Sequence, residues 1–267
     1  MMSHFHSILY LAVFFLLFIM NSFSVAKGEI RIIKIDNPVC TLYLPDQTTA
    51  SGRCVVILPG GCYKWLATDK EGHDWAHFFN DKGISVAVLE YKMPDGNREI
   101  PIKDAIDLFK LLRKNAKEWN INPSDIGIMG HSAGGHLASM IATLYAPVSK
   151  PSFQILFYPM ISLEKPLTHE FSMCQFLGDS PSEELRKRYS SDRLVCDQTP
   201  QTIIFVCDDD DTLTPLNSIV FYRSLNEHHI SASLHIYPSG GHGWGCESGF
   251  PFHQTMLLEL SEWIDSF

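Results

Sequence analysis

The stretch IMGHSAGGHLASMIAT, residues 128–143, sets a serine between glycines, with an apolar run before it and a helix-forming run after it. Glycine costs backbone entropy, so Gly130 and Gly134 imply a geometry that needs them. The residues DIGIM (125–129) read as a buried strand, and GGHLASMIATLY (134–145) reads as a helix. A Gly-x-Ser-x-Gly turn between a strand and a helix lifts the serine hydroxyl to the C-terminal edge of a sheet. The helix starting there directs the positive end of its dipole to the place where an oxyanion would develop. Ser132 is therefore the candidate nucleophile, and the amide of Ala133 a candidate oxyanion donor.

Working outward, short apolar runs alternate with helical patterns. CVVILP (54–59), ISVAVLEY (84–91), FQILFYP (153–159), TIIFVC (202–207) and ASLHIYP (232–238) read as further buried strands. Residues 101–119 carry the clearest helical stripe, with Ile102, Ile106, Phe109, Leu112, Ala116 and Trp119 at spacings of three and four. Other helices are expected near 74–82, 217–227 and 253–266. This alternation predicts an α/β fold: a mostly parallel central sheet flanked by helices on both faces. Residues 162–199 are the least regular, and a small cap or a substrate-facing excursion is expected there.

Two more segments complete a reactive constellation. Pro59-Gly60-Gly61-Cys62-Tyr63 follows the first of those strands, where hydrolases of this type carry a glycine-rich oxyanion loop, so the amides of Gly61 and Cys62 join that of Ala133 as expected donors. After TIIFVC comes DDDDTLTPLNS (208–218), and after ASLHIYP comes SGGHGWG (239–245). Serine, acid, histidine is the chain order of an α/β-hydrolase, which makes His242 the expected general base. Asp208, Asp209, Asp210 and Asp211 cannot all be buried, because like charges raise each other's pKa values. Residue chemistry alone does not select one of them.

The 267 residues are 45% apolar with a formal net charge of -9, which suits one domain (27–267) with a sizeable core and argues against nucleic acid or an anionic membrane as partner. Residues 1–26 hold no Lys, Arg, Asp or Glu, and an apolar run from Ile8 to Met20 is followed by NSFSVA. That pattern predicts a signal peptide cleaved after Ala26, hence a periplasmic or secreted protein with no stable membrane insertion once cleaved. An uncleaved anchor is the alternative. The seven cysteines include no Cys-x-x-Cys pair, which gives no support to a zinc site, and Cys54 and Cys207 read as core residues.

The motifs PGGCY (59–63), EGHDWA (71–76), GHSAGGHLA (130–138), DDTLTPLNS (210–218) and GGHGWG (240–245) together resemble the secreted α/β-hydrolase branch of bacterial acetylxylan and feruloyl esterases, also related to prolyl oligopeptidase catalytic domains. The resemblance implies a serine ester hydrolase, foremost a carbohydrate O-acetyl esterase acting on xylan or a related plant polysaccharide through a Ser-His-Asp triad, with acylated carbohydrate as its partner and no cofactor or metal. A feruloyl esterase, a serine peptidase and a catalytically silent carbohydrate-binding protein are the competing readings. Members of the branch place their acid before x-x-Val-Pro and Asn-Ser. Anchoring on Asn217-Ser218 selects Asp210, with Leu213 packing toward the sheet, whereas anchoring on Thr214-Pro215 selects Asp211; the first is preferred. Cys62 stands where the branch usually has a third glycine. Tyr63, Trp65 and Trp244 adjoin these motifs and are candidates for stacking on a sugar or packing against an acyl group, with core packing as the alternative. Glu71, His73, Asp74 and Trp75 belong either to a substrate-side loop or to packing beneath the oxyanion loop.

Overall fold

The computed structural model describes residues 31–145, 149 and 151–267, so the segment read as a signal peptide lies outside the described residues. Eight strands form one sheet: β1 (Arg31–Asp36), β2 (Val39–Leu44), β3 (Cys54–Leu58), β4 (Ser85–Leu89), β5 (Ile126–His131), β6 (Phe153–Phe157), β7 (Gln201–Cys207) and β8 (Ala232–Tyr237). Their order is β1-β2-β4-β3-β5-β6-β7-β8, with β1 and β2 antiparallel to their neighbours and β3 to β8 parallel. All six strands expected from the sequence are present.

Alternation along the central strands feeds two cores. On β3, Cys54, Val56 and Leu58 face one, while Val55 and Ile57 face the other. The first core is closed by α2 (Glu99–Lys114), α3 (Ser132–Ala142) and α6 (Leu216–Glu227), through residues such as Leu108, Leu137 and Phe221. The second is closed by α1 (Trp75–Asn80) and α7 (His253–Ile264), through Trp75, Phe79, Met256 and Leu260. A sheet buried on both faces needs near-continuous apolar strands, which is what the central six provide.

The differences from expectation have local causes. The helix expected over 101–119 ends at Lys114, although Ala116 and Trp119 remain buried, because the chain continues as turns that still face the core. β1 and β2 were not expected: RIIKID mixes charge with apolar residues, and β1 is an edge strand with four of its six residues exposed. The 162–199 excursion is more regular than its composition suggests. It holds α4 (Glu170–Leu177) and α5 (Glu183–Arg188), both too short for periodicity to register. α4 packs Met173 and Phe176 onto the first core, and the Ser182 hydroxyl caps α5 by accepting the Leu185 amide at 3.2 Å.

All seven cysteines are free thiols, with Cys54 and Cys207 buried. No helix of the described residues is long and apolar enough to cross a membrane.

Candidate active site

Ser132 closes β5 and opens α3 with φ 51°, in the left-handed region that costs a non-glycine residue roughly 1–3 kcal/mol. The flanking glycines make that turn possible by absence of side chain. A Cβ at Gly134 would stand 2.2 Å from the Leu58 carbonyl oxygen, and one at Gly130 would stand 2.3 Å from the Gly134 carbonyl oxygen. Helix α3 therefore starts in contact with the end of β3, and the serine is fixed above the sheet.

His242 lies 110 residues beyond Ser132 and 32 beyond Asp210, and the fold brings the three together. The Ser132 hydroxyl and His242 Nε2 are 2.9 Å apart, and His242 Nδ1 and Asp210 Oδ2 are 2.7 Å apart. A carboxylate can only accept, so Nδ1 carries the proton toward Asp210 and Nε2 accepts from the serine. The other Asp210 oxygen accepts the amides of Thr212 and Leu213 at 3.0 and 2.8 Å, so the acid is fully hydrogen-bonded although its side chain is wholly buried. Leu213 is buried in the first core. Asp208, Asp209 and Asp211 are exposed.

The loop after β3 is held from several sides. The Gly60 amide donates to Glu71 Oε2 at 2.7 Å, the Tyr91 hydroxyl donates to the Pro59 carbonyl at 2.7 Å, and the Ala67 amide donates to the Gly60 carbonyl at 3.0 Å. Gly61, Cys62 and Tyr63 then follow with φ of 132°, 56° and 59°, a left-handed run that turns successive amides out of the strand direction. Gly60 is committed to Glu71, whereas the amides of Gly61 and Cys62 have no acceptor among the described residues. Ala133 lies in the first turn of α3, where amides lack an intrahelical partner.

Tyr63 requires a correction. It is completely buried, its ring stacks on Phe176, and its hydroxyl bonds to His136 Nδ1 at 2.8 Å, so it cannot stack on a sugar. His136 Nε2 lies 2.8 Å from the Tyr189 carbonyl, which must accept, so Tyr63 donates to Nδ1 and the imidazole is neutral. Burial lowers the pKa of His136 to about 4. Trp244 requires the same correction: it is 4% exposed and lies parallel to Phe250 at 4.0 Å. Both were placed near the substrate because they adjoin the catalytic motifs, and adjacency in sequence does not fix which way a ring points. Trp65, by contrast, is 56% exposed.

Of the EGHDWA residues, Trp75 is core, Asp74 is exposed, and His73 pairs with the Tyr43 hydroxyl at 3.0 Å. Glu71 is buried beneath the oxyanion loop. Its second oxygen accepts the Tyr158 hydroxyl at 2.9 Å, and Tyr158 packs against the His242 ring at 4.8 Å between centroids. Sequence reasoning missed Tyr158, because an aromatic at the end of a strand reads as core. It also missed His169, half-buried at the start of α4, whose pKa is lowered by burial and by the nearby His242. The excursion thus reaches toward His242.

Comparison with known proteins agrees with this architecture. The BD-FAE family model matches residues 40–154. The chain is 39% identical to an acetylxylan esterase of Xylanibacter ruminicola over 84% of its own length and 47% of that protein. It is 31% identical to an endo-1,4-beta-xylanase B of Butyrivibrio fibrisolvens over 71% of its own length and 32% of that protein. It therefore spans less than half of either relative. The crystal structure of an acetyl ester-xyloside bifunctional hydrolase from Caldicellulosiruptor lactoaceticus superposes with a TM-score of 0.78 at 31% identity, covering 92% of this chain and 98% of the other.

Proposed function

Because the chain belongs to the BD-FAE family of the α/β-hydrolase superfamily, we propose that it is a serine carboxylic-ester hydrolase that removes acetyl groups from xylan or a related plant polysaccharide. The observation that carries this reading is the continuous hydrogen-bonded run from Asp210 through His242 to Ser132, beneath a helix N-terminus and beside a loop with free amides. The relatives named for acetylxylan and acetyl ester-xyloside hydrolysis supply the substrate class.

In this reading Ser132 attacks the ester carbonyl carbon while His242 Nε2 takes its proton. The amides of Gly61, Cys62 and Ala133 receive the oxyanion of the tetrahedral intermediate. Collapse breaks the bond to the sugar oxygen, which leaves with the proton from His242, and an acetyl-serine remains. Water, deprotonated by the same imidazole, attacks that ester; the bond to Ser132 Oγ breaks, the serine takes the proton back from His242, and acetate is released. Asp210 keeps Nδ1 protonated and stabilises the imidazolium formed in both steps. Trp65 is the exposed aromatic available to the sugar side.

We also propose that residues 1–26 are an export signal and that residues 27–267 form a single mature domain; intact-mass analysis of exported protein should give an N-terminus at Lys27. The enzymatic reading is tested by comparing the mature chain and its Ser132→Ala variant on acetylated xylan, feruloylated arabinoxylan fragments and a proline-linked chromogenic peptide. Acetate release that vanishes in the variant is the expected result. Preferential ferulate or peptide cleavage would reassign the substrate, and no serine-dependent turnover on any of the three would overturn the hydrolase reading.

A further inference from the structure

Glu71 is a carboxylic acid placed where an acid is costly. It sits on a single π-helical turn, Asp69–His73, and is 3% exposed. Burial raises its pKa, an effect opposed by its hydrogen bonds to Tyr158 and Gly60 and by the fields of His242 and Lys70. A buried carboxylate is retained at little cost only where each oxygen finds a donor. Here the two donors come from two different loops of the active site.

One oxygen accepts the amide of Gly60, at the root of the oxyanion loop, at 2.7 Å. The other accepts the Tyr158 hydroxyl at 2.9 Å, and the Tyr158 oxygen in turn accepts the amide of Gly245, three residues after His242, at 2.8 Å. The contact with the histidine loop is reinforced next door, where the Cys246 amide donates to the Lys70 carbonyl at 2.8 Å. There is no slack in this junction: a Cβ at Gly60 would stand 2.7 Å from Glu71 Oε2 and 2.8 Å from Ser132 Cβ, and a Cβ at Gly245 would stand 2.4 Å from the Lys70 carbonyl oxygen. Tyr158 itself has φ 35°, a strained backbone for an aromatic residue, held where its hydroxyl can bridge.

We infer that Glu71 is a positioning residue for the ester-hydrolase chemistry, setting the oxyanion loop and the His242 loop in one register through Gly60 on one side and Tyr158 on the other. The inference rests on the hydrolase reading. Its physical basis is that the oxyanion donors and the general base must address the same tetrahedral intermediate. They come from loops separated by about 180 residues of chain, with no covalent reason to stay aligned. Gly60 spends its amide on Glu71, and that bond fixes the peptide plane from which the Gly61 and Cys62 amides are launched. Misplacement on the scale of 1 Å costs about 10²-fold in rate.

The test uses the mature chain with p-nitrophenyl acetate as substrate, an organophosphate to titrate active serines, and a boronic acid as tetrahedral mimic. Glu71→Ala should lower kcat per titrated site about 10²-fold, with KM changed less than about threefold, and should weaken the boronic acid in parallel with kcat. Glu71→Gln keeps an acceptor for Gly60 and should recover most of that loss. Tyr158→Phe, which cuts only the arm to Gly245, should lose about tenfold in kcat. If Glu71→Ala does not fold, the other two variants carry the test. A purely structural role would lower the melting temperature and the number of titratable sites while leaving kcat per site and boronic acid affinity unchanged; that result in Tyr158→Phe, or in Glu71→Ala where it folds, would overturn the inference alone. A wild-type chain without Ser132-dependent turnover would overturn the hydrolase reading and this inference together.

Discussion

Asp209 and Asp210 are neighbours in the chain and grip the same loop at two different points. Asp210 bonds to the His242 imidazole at 2.7 Å, while Asp209 accepts the amides of Gly240 and Gly241 at 3.2 and 2.8 Å. The run of four carboxylates is thereby sorted: one is buried and holds the His242 ring, one is exposed and holds the backbone that leads to it, and Asp208 and Asp211 face solvent.

This division predicts distinct losses. Asp210→Asn should lower kcat by about 10³–10⁴-fold, because an amide in that place can favour the wrong histidine tautomer. Asp211→Asn should stay within about twofold of wild type. Steady-state kinetics on p-nitrophenyl acetate at neutral pH, with melting curves to show that both variants fold, checks the pair.

Gly60→Ala should damage activity and folding together. The added methyl would meet Glu71 Oε2 at 2.7 Å, the His131 carbonyl at 2.8 Å and Ser132 Cβ at 2.8 Å, none of which can yield without moving the nucleophile or the oxyanion loop. A loss of about 1–3 kcal/mol in urea stability is expected, with kcat lowered more than that loss explains. Gly249→Ala is the control, since a methyl there meets nothing within 4 Å.

Stability should fall in acid through two buried imidazoles. Burial lowers His131 to about 3 and His136 to about 4 from an ordinary value of 6.5. Between those values and 6.5 the unfolded chain binds protons that the folded one refuses, so stability is lost as pH falls below about 6.5. Going from pH 7 to pH 5 should cost ~2 kcal/mol for each histidine. Glu71 has the opposite sign: its raised pKa makes the folded state bind the extra proton, which favours folding as the pH drops. Urea midpoints of wild type and His136→Gln at both pH values isolate one contribution. The acid-induced loss should shrink in the variant whatever its stability at pH 7.

The aromatic residues should separate cleanly. Trp244→Ala removes a buried ring stacked on Phe250 and should cost about 3–5 kcal/mol of stability. Trp65→Ala should leave the melting temperature within about 2 °C of wild type. It should raise KM on acetylated xylan more than on p-nitrophenyl acetate, and equal changes on the two substrates would count against a sugar contact.

The sequence made the central sheet legible because strands buried on both faces must be uniformly apolar, and TIIFVC or CVVILP admit few other readings. Ser132 and His242 were legible for a different reason, since each sits on a short loop whose glycines announce special backbone, and the acid turn was legible as a run of carboxylates directly after a strand. Side-chain direction was not legible. Tyr63 and Trp244 carry the same local signals as a ligand-facing aromatic, and only the packing of Phe176 and Phe250 decides that they point inward. Glu71 was visible only as part of the EGHDWA motif, because its partners lie 11 residues away at Gly60 and 87 away at Tyr158, distances over which one chain carries no pattern.

The bond from His136 to the Tyr189 carbonyl bears on any attempt to re-engineer this scaffold. His136 touches the oxyanion loop through Tyr63 and the excursion through Tyr189, so the excursion is not a detachable module. A chimera that transplants residues 162–199 from a relative must present a main-chain acceptor at the same point. Without it, the graft would strand a buried imidazole N–H and loosen the loop two bonds away, and a change intended for one end of the molecule would be felt at the other.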